Sequence, residues 1–345
     1  MGKYFPKQEL KNIIAGKGRG ERIPMMYRFW IEEERFGEFE QQARDMLDAY
    51  PNDILRWQFV MPGNYRVDPN DPFSFTPTPP STEQHGYDTN CAIADWDQLD
   101  EIIANFPDPN DPRMFANRPE CEEDHYLLAC WWTSFFERLW GLRGMENALI
   151  DLYEYPEEIH KLFDALTNFY CRVIERAAKE GKVDGILTSD DIGTQNGPFF
   201  SLEMFREFFK PYYKRIIDCA HANGLEFWLH TCGNIEPFIP EFIEIGLDVL
   251  HPIQKYTMDE RKIADQYGDK ICFWAGFDVQ RIIPYGTPED VRREVRFMID
   301  AYDRFGGRFL LTLGNMLTED CKIESLHALL DESLNYGLEH EYMYF

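Results

Sequence analysis

From about residue 125 onward the chain repeats one pattern, a short apolar run followed by a longer amphipathic stretch. The runs are Tyr126–Trp132, Asp184–Ser189, Leu225–His230, Asp248–Ile253, Ile271–Phe277 and Arg308–Leu313. Apolar residues recur at helical spacing in Pro156–Glu180, Leu202–Asn223, Glu236–Ile245, Asp259–Tyr267, Pro288–Phe305 and Glu324–Tyr336. Strand followed by helix, repeated, gives βα units and a parallel sheet. Pro24–Trp30 and Leu55–Met61 read as two further strands, which completes the set needed to close a barrel. The pattern therefore predicts an α/β chain, a single (β/α)8 TIM barrel over residues 21–345, behind an N-terminal extension over residues 1–20. The stretch Asp68–Thr82, rich in Pro, Asp and Asn, reads as a long irregular loop. Its segment Asp68–Pro72 recurs as Asp108–Pro112, which is shared turn chemistry and not an internal repeat.

Composition narrows the partners. A formal charge of −26 with no basic run excludes a nucleic-acid partner, because a phosphate backbone needs clustered Lys and Arg. The same charge disfavours anionic lipid, and it disfavours a polyanionic substrate unless arginines gather in the pocket. No apolar run approaches the roughly 18–20 residues of a membrane helix, and the first seven residues lack the apolar core of a signal peptide. The eight cysteines are scattered without pair spacing, so they read as thiols in a reducing cytosol.

In a barrel of this kind the chemistry sits on loops leaving the C-terminal ends of the strands. The run Leu225–Asn234 is the most informative. With a period of two along a strand, Glu226, Trp228, His230 and Cys232 share one side and Leu225, Phe227 and Leu229 the other. The all-apolar side suits outer helices, so His230 and Cys232 project together at the mouth. Imidazole and thiolate are both zinc ligands, and a catalytic zinc takes three protein ligands plus an open position. The same spacing also fits a hydrogen-bonded histidine beside a buried cysteine. Cys321, after the last strand, is the first choice for a third ligand, ahead of Cys272.

Asp190 and Asp191 end another strand, where like charges raise one pKa and offer a proton donor or acceptor; one of them capping the next helix is the plainer reading. Gln195 and Asn196 follow with neutral hydrogen-bonding groups, and Gln254, Asp278 and Asn315 end later strands. With Trp132, Trp274 and Phe277 these would line an aromatic, weakly polar substrate pocket.

Four segments carry a resemblance: Trp140–Asn147, Asp190–Gln195, His230–Ile235 and Gly246–Gln254. Together they resemble the uroporphyrinogen decarboxylase superfamily over about residues 120–335 and poorly before that. The resemblance implies the (β/α)8 barrel and one of two activities. One is cofactor-free decarboxylation of uroporphyrinogen III. The other is zinc-dependent methyl transfer between a corrinoid protein and a thiol or methylated compound. The methyltransferases carry His-x-Cys plus a distant Cys on zinc, and His230 and Cys232 match the first two. Their third Cys usually follows a Gly just after the last strand, where this chain has Gly314-Asn315 and reaches Cys321 six residues later. The decarboxylases resemble one another in an Arg-Gln-Ala-Gly-Arg segment and a Phe-Ser-Asp segment. This chain has Met25–Ile31 with the single Arg28, and Phe73-Ser74-Phe75 without the Asp. The expectation is a zinc methyltransferase working with a corrinoid carrier, with uroporphyrinogen decarboxylase second and a non-catalytic corrinoid- or tetrapyrrole-binding barrel third. Family analogy adds a homodimer.

Overall fold

A ring of parallel strands forms the centre of the chain in the computed structural model, which describes residues 4–68, 70–77 and 91–341. Seven strands pair in chain order: β1 Ile54–Gln58, β2 Tyr126–Trp131, β3 Gly185–Ser189, β4 Glu226–His230, β5 Val249–His251, β6 Cys272–Phe277 and β7 Phe309–Leu313. Every neighbouring pair is parallel. The extended segment Pro24–Met26 closes the ring. Met26 N–H donates to Leu311 O at 3.0 Å, Leu311 N–H to Pro24 O at 2.9 Å, and Asp53 N–H to Met25 O at 3.1 Å. The result is the expected barrel, with its closing strand reduced to a few residues.

That reduction corrects one expectation. Pro24–Trp30 was read as a strand throughout, yet Tyr27–Trp30 turns into a 3-10 helix. The turn lays Phe29 and Trp30 across the barrel interior, where their rings meet Trp274 at 5.1 and 5.7 Å. Burial of two large aromatics outweighs the strand preference of the segment, since each contributes about 1.5–3 kcal/mol or more. The lead-in before residue 20 contains helix α1 (Lys7–Ile14), with Leu10, Ile13 and Ile14 buried. It docks on the N-terminal end of the barrel, where Lys7 N–H donates to Asp124 O and Arg308 N–H to Ile13 O, both at 2.8 Å.

The helical periodicity is realised in α2 (Phe136–Arg143), α3 (Pro156–Arg176), α4 (Lys210–Ala222), α5 (Pro288–Tyr302) and α6 (Ile323–Glu341). Helix α3 buries Ile159, Leu162, Phe163, Leu166, Phe169, Tyr170 and Val173, a stripe at three- and four-residue intervals. Strand parity holds on β4: Trp228 faces inward against Trp274, 5.5 Å between ring centres, while Phe227 and Leu229 are buried on the opposite side. Glu226, low on the inward face, accepts from the Tyr126 hydroxyl at 2.5 Å.

The recurring Asp-Pro-Asn-Asp-Pro segments share their turn. Asp68 Oδ1 accepts from Asn70 N–H at 2.9 Å, and Asp108 Oδ1 from Asn110 N–H at 2.8 Å. Within the predicted loop, Ser74–Thr76 forms a short strand beside Gly63–Tyr65; its remainder, from residue 78, lies outside the described residues. Among the described residues no helix is long and apolar enough to cross a membrane.

Candidate functional site

The loops leaving β3 and β4 meet at the mouth of the barrel, pressed together at two glycines. A Cβ on Gly193 would lie 2.7 Å from Cys232 O, and Gly233 has φ of 86°. Asn234 N–H donates to Thr194 O at 2.7 Å and Ile192 N–H to Thr231 Oγ1 at 3.3 Å, which fixes the two loops in register. This contact sets Asp191 beside Cys232: the backbone N–H of Cys232 donates to Asp191 Oδ1 at 2.7 Å. His230 Nε2 is 3.4 Å from Cys232 Sγ and 3.7 Å from Asp191 Oδ1. One potential ligand atom from each of the three side chains lies within 4.8 Å of the others. A nitrogen, a sulfur and a carboxylate oxygen at such separations suit a tetrahedral zinc with a free position.

Cys321 is not part of this group. Its sulfur donates to Lys322 O at 3.7 Å at the start of α6, and burial pushes its thiol up to about 12. At the Gly314-Asn315 position the nearest group is an amide: Asn315 Nδ2 approaches Cys232 Sγ at 3.9 Å. Asp191 therefore stands where the sequence suggested a distant cysteine.

The two aspartates separate cleanly. Asp190 is fully buried and accepts the backbone N–H groups of Phe135, Phe136 and Glu137 at 3.1, 3.0 and 2.7 Å, and the Tyr213 hydroxyl at 2.5 Å. It caps the start of α2 and does not face the cavity. Burial raises its pKa to about 6 against the pull of those donors. By anchoring α2 it positions Glu137, whose Oε2 accepts from Ser189 Oγ at 2.8 Å. Burial, then the charges of Asp190 and Asp191, raise Glu137 to about 8. Glu137 escaped the sequence reading because it follows Phe135 and Phe136, which look like core; an acid in the first turn after a strand was its one signal.

A second unanticipated residue lies below His230. His251 ends β5 directly opposite, and the two Nδ1 atoms are 2.6 Å apart. His251 Nε2 lies 2.8 Å from Leu313 O. Trp30 stacks on His251 at 4.9 Å and Trp274 covers it at 4.4 Å. Burial lowers both histidines, with Asp191 opposing for His230 and the neighbouring ring reinforcing for His251. Burial pushes the Cys232 thiol up, and Asp191 adds to it.

Beside Cys232 opens a cavity of about 170 Å³ that includes Gln195, Gln254, Phe277, Asp278 and Asn315 in its wall. Gln254 Oε1 accepts from Gly233 N–H at 2.5 Å, which holds the amide against the loop. Asp278 is buried and committed, taking the N–H groups of Gln280 and Arg281 and the Tyr256 hydroxyl. Asn196 is exposed and outside the cavity wall, and Trp274 is fully buried beneath the histidines. Trp132 is half-buried, its ring edge-on to His230 at 6.0 Å. Lys255 reaches the wall with its charge already matched by Glu260 and Glu294. Thr133 and Ile253, β-branched residues in loops at the mouth, hold positive φ of 69° and 52°, a strained backbone of the kind that gathers at functional sites.

Residues 135–336, more than half of the chain, match the uroporphyrinogen decarboxylase family. The chain belongs to that family. The family match begins at α2 and spans every residue of the His230–Cys232–Asp191 group. Among solved structures, a methyltransferase from Methanosarcina mazei superposes with a TM-score of 0.65 at 12% identity, covering 98% of this chain and 99% of that one. A glycosylated endo-β-1,4-xylanase from Gloeophyllum trabeum gives 0.45 at 9% identity, over 94% of this chain and 100% of that one. At such identity the likeness to the methyltransferase concerns the fold alone. No curated protein matches the chain by sequence.

Proposed function

We propose that this member of the uroporphyrinogen decarboxylase family is a zinc-dependent methyltransferase that works with a corrinoid-borne methyl group on a thiol or small methylated compound. The observation that carries the reading is the meeting of His230 Nε2, Cys232 Sγ and the Asp191 carboxylate at the open end of the barrel, beside a cavity. Those three side chains would hold the ion. Zinc there would act as a Lewis acid, lowering the pKa of a thiol or polarising an ether oxygen.

The remaining residues bind, orient and exclude water. Gln195, Gln254 and Asn315 present neutral amides to a substrate in the cavity, Phe277 adds an apolar wall, and Trp132, outside that wall, packs edge-on against His230. Burial and the charges of Asp190 and Asp191 raise Glu137 to about 8, so it holds its carboxyl proton at neutral pH close behind the site. The nearby superposition on a methyltransferase fold supports this reading. The porphyrinogen alternative is weaker because its many carboxylates need free cations. Lys255, the cation in the cavity wall, is neutralised by two glutamates, and Arg28 pairs with Glu33 and Asp48.

Incubation of the zinc-loaded protein with methylcobalamin and a panel of thiols, in parallel with uroporphyrinogen III, separates the readings. Metal-dependent demethylation of the corrinoid with thioether formation is expected. Release of CO2 from uroporphyrinogen III by metal-free protein would overturn the proposal.

A further inference from the structure

Resting on the zinc reading, a positioning role follows for His251, one that concerns which nitrogen of His230 carries the proton. The carbonyl of Leu313 can only accept, so His251 Nε2, 2.8 Å away, must donate. His251 is 1% exposed between the rings of Trp30 and Trp274, an environment that keeps an imidazole neutral. A neutral ring protonated at Nε2 has a bare Nδ1. Across the 2.6 Å contact, the hydrogen must therefore come from His230 Nδ1. That leaves His230 Nε2 with a free lone pair, and Nε2 is the atom 3.4 Å from Cys232 Sγ and 3.7 Å from Asp191.

We propose that His251, anchored on the Leu313 carbonyl, locks His230 in the Nδ1–H tautomer and so presents Nε2 to the metal position before any ion arrives. Partners that fix a ligating histidine this way are commonly a carboxylate or a carbonyl. Here a second imidazole relays the preference of a backbone carbonyl on β7 across β5 to β4. The device also explains why two histidines share one dry layer of the barrel beside two tryptophans.

The test uses the full chain with ¹⁵N-labelled histidine. Long-range proton–nitrogen spectra of the metal-free protein should show His230 protonated at Nδ1 and bare at Nε2. In His251→Phe the preference should relax, and zinc affinity by chelator competition should fall about 10–100-fold. His251→Gln, whose side-chain carbonyl can accept from Nδ1, should recover most of that loss. A wild-type His230 protonated at Nε2 overturns the proposal even if the Phe variant does not fold, and so does unchanged zinc affinity in a folded Phe variant. A wild-type chain that shows the tautomer yet takes up no zinc would sink the metal reading while leaving the lock intact.

An independent observation lies on the outer layer. Helices α3 and α4 bring Cys171 and Cys219 together: the Cys219 thiol donates to Cys171 O at 3.5 Å, and the Cys171 thiol approaches Arg215 O at 3.9 Å. Both are free and half-buried. We infer that this pair is a site of reversible disulfide formation under a peroxide oxidant. The Cys171 thiolate attacks an oxygen of hydrogen peroxide, the O–O bond breaks to give a sulfenic acid, and the departing hydroxide takes up the proton Cys171 had given up, leaving one water. Cys219 sulfur then attacks Cys171 sulfur, the S–O bond breaks, and the Cys219 proton leaves with the hydroxide as a second water.

Peptide mapping of the whole protein after hydrogen peroxide should give a 171–219 cross-link that a dithiol reverses. Cys219→Ser should abolish it, and the oxidised wild type should melt higher by roughly 5 °C. Both cysteines still alkylatable after peroxide, or joined to other partners, would overturn the inference.

Discussion

Glu226 lies at the end of the barrel away from the mouth, half-buried and hydrogen-bonded to Tyr126. Burial raises its pKa to about 7, with the Tyr126 hydroxyl and Lys11 opposing. The group binds its proton more tightly folded than unfolded, so its favourable contribution is complete below the ordinary glutamate range, near 4.3. That contribution is lost as pH rises towards 7. Glu226→Gln keeps an acceptor for Tyr126 and removes the charge, so it should stabilise the protein by about 2 kcal/mol at pH 8 and much less at pH 5. Urea unfolding of both proteins at the two pH values checks this; a larger gain at pH 5 would be the wrong sign. The partner of Glu226 is a tyrosine two strands away, whose hydroxyl reaches across the intervening Gly185.

At the scale of elements, the site depends on how closely the β3 and β4 loops approach. Gly233 combines a left-handed backbone with contact against Gly193, so Gly233→Ala has neither the conformation nor the room. The variant should lose about 2 kcal/mol of stability and bind zinc more weakly, because Cys232 moves off Asp191. Chemical denaturation and chelator competition together check it, and unchanged values in both would refute the loop account. Most elements were legible in the sequence, since apolar runs such as Ile271–Phe277 and the spacing within α3 reflect burial on one side. His230 and Cys232 were legible for the same reason, strand parity. What parity could not reveal was contact between elements. Asp190 and Asp191 look equivalent in the chain, and only the packing of α2 and Tyr213 turns one into a cap and leaves the other beside Cys232. His251 and Glu137 acquire meaning only through partners 21 and 52 residues away. Cys321 was favoured by its place just after the last strand, and the segment leaving β7 carries it to the start of α6 instead.

For the whole molecule, closure of the ring depends on one buried carboxylate. Asp53 is fully buried, takes both terminal nitrogens of Arg22 at 2.7 Å, and accepts Met25 N–H at 2.7 Å and Phe5 N–H at 2.8 Å. It thereby ties the closing segment and the lead-in to α1 onto the start of β1. A buried ion pair gives little net stability against an apolar replacement, but removing one partner strands the other. Asp53→Ala should cost about 3–5 kcal/mol, with early loss of protection in residues 5–26 by hydrogen exchange. A change below about 1 kcal/mol would mean that the ring closes without it.

Elemental analysis of the purified protein tests the proposed zinc site on His230, Cys232 and Asp191 most directly. Wild type and Cys321→Ser should each carry one zinc ion per chain, and Cys232→Ser should carry little or none. Equal zinc in wild type and Cys232→Ser, or none in either, would contradict it.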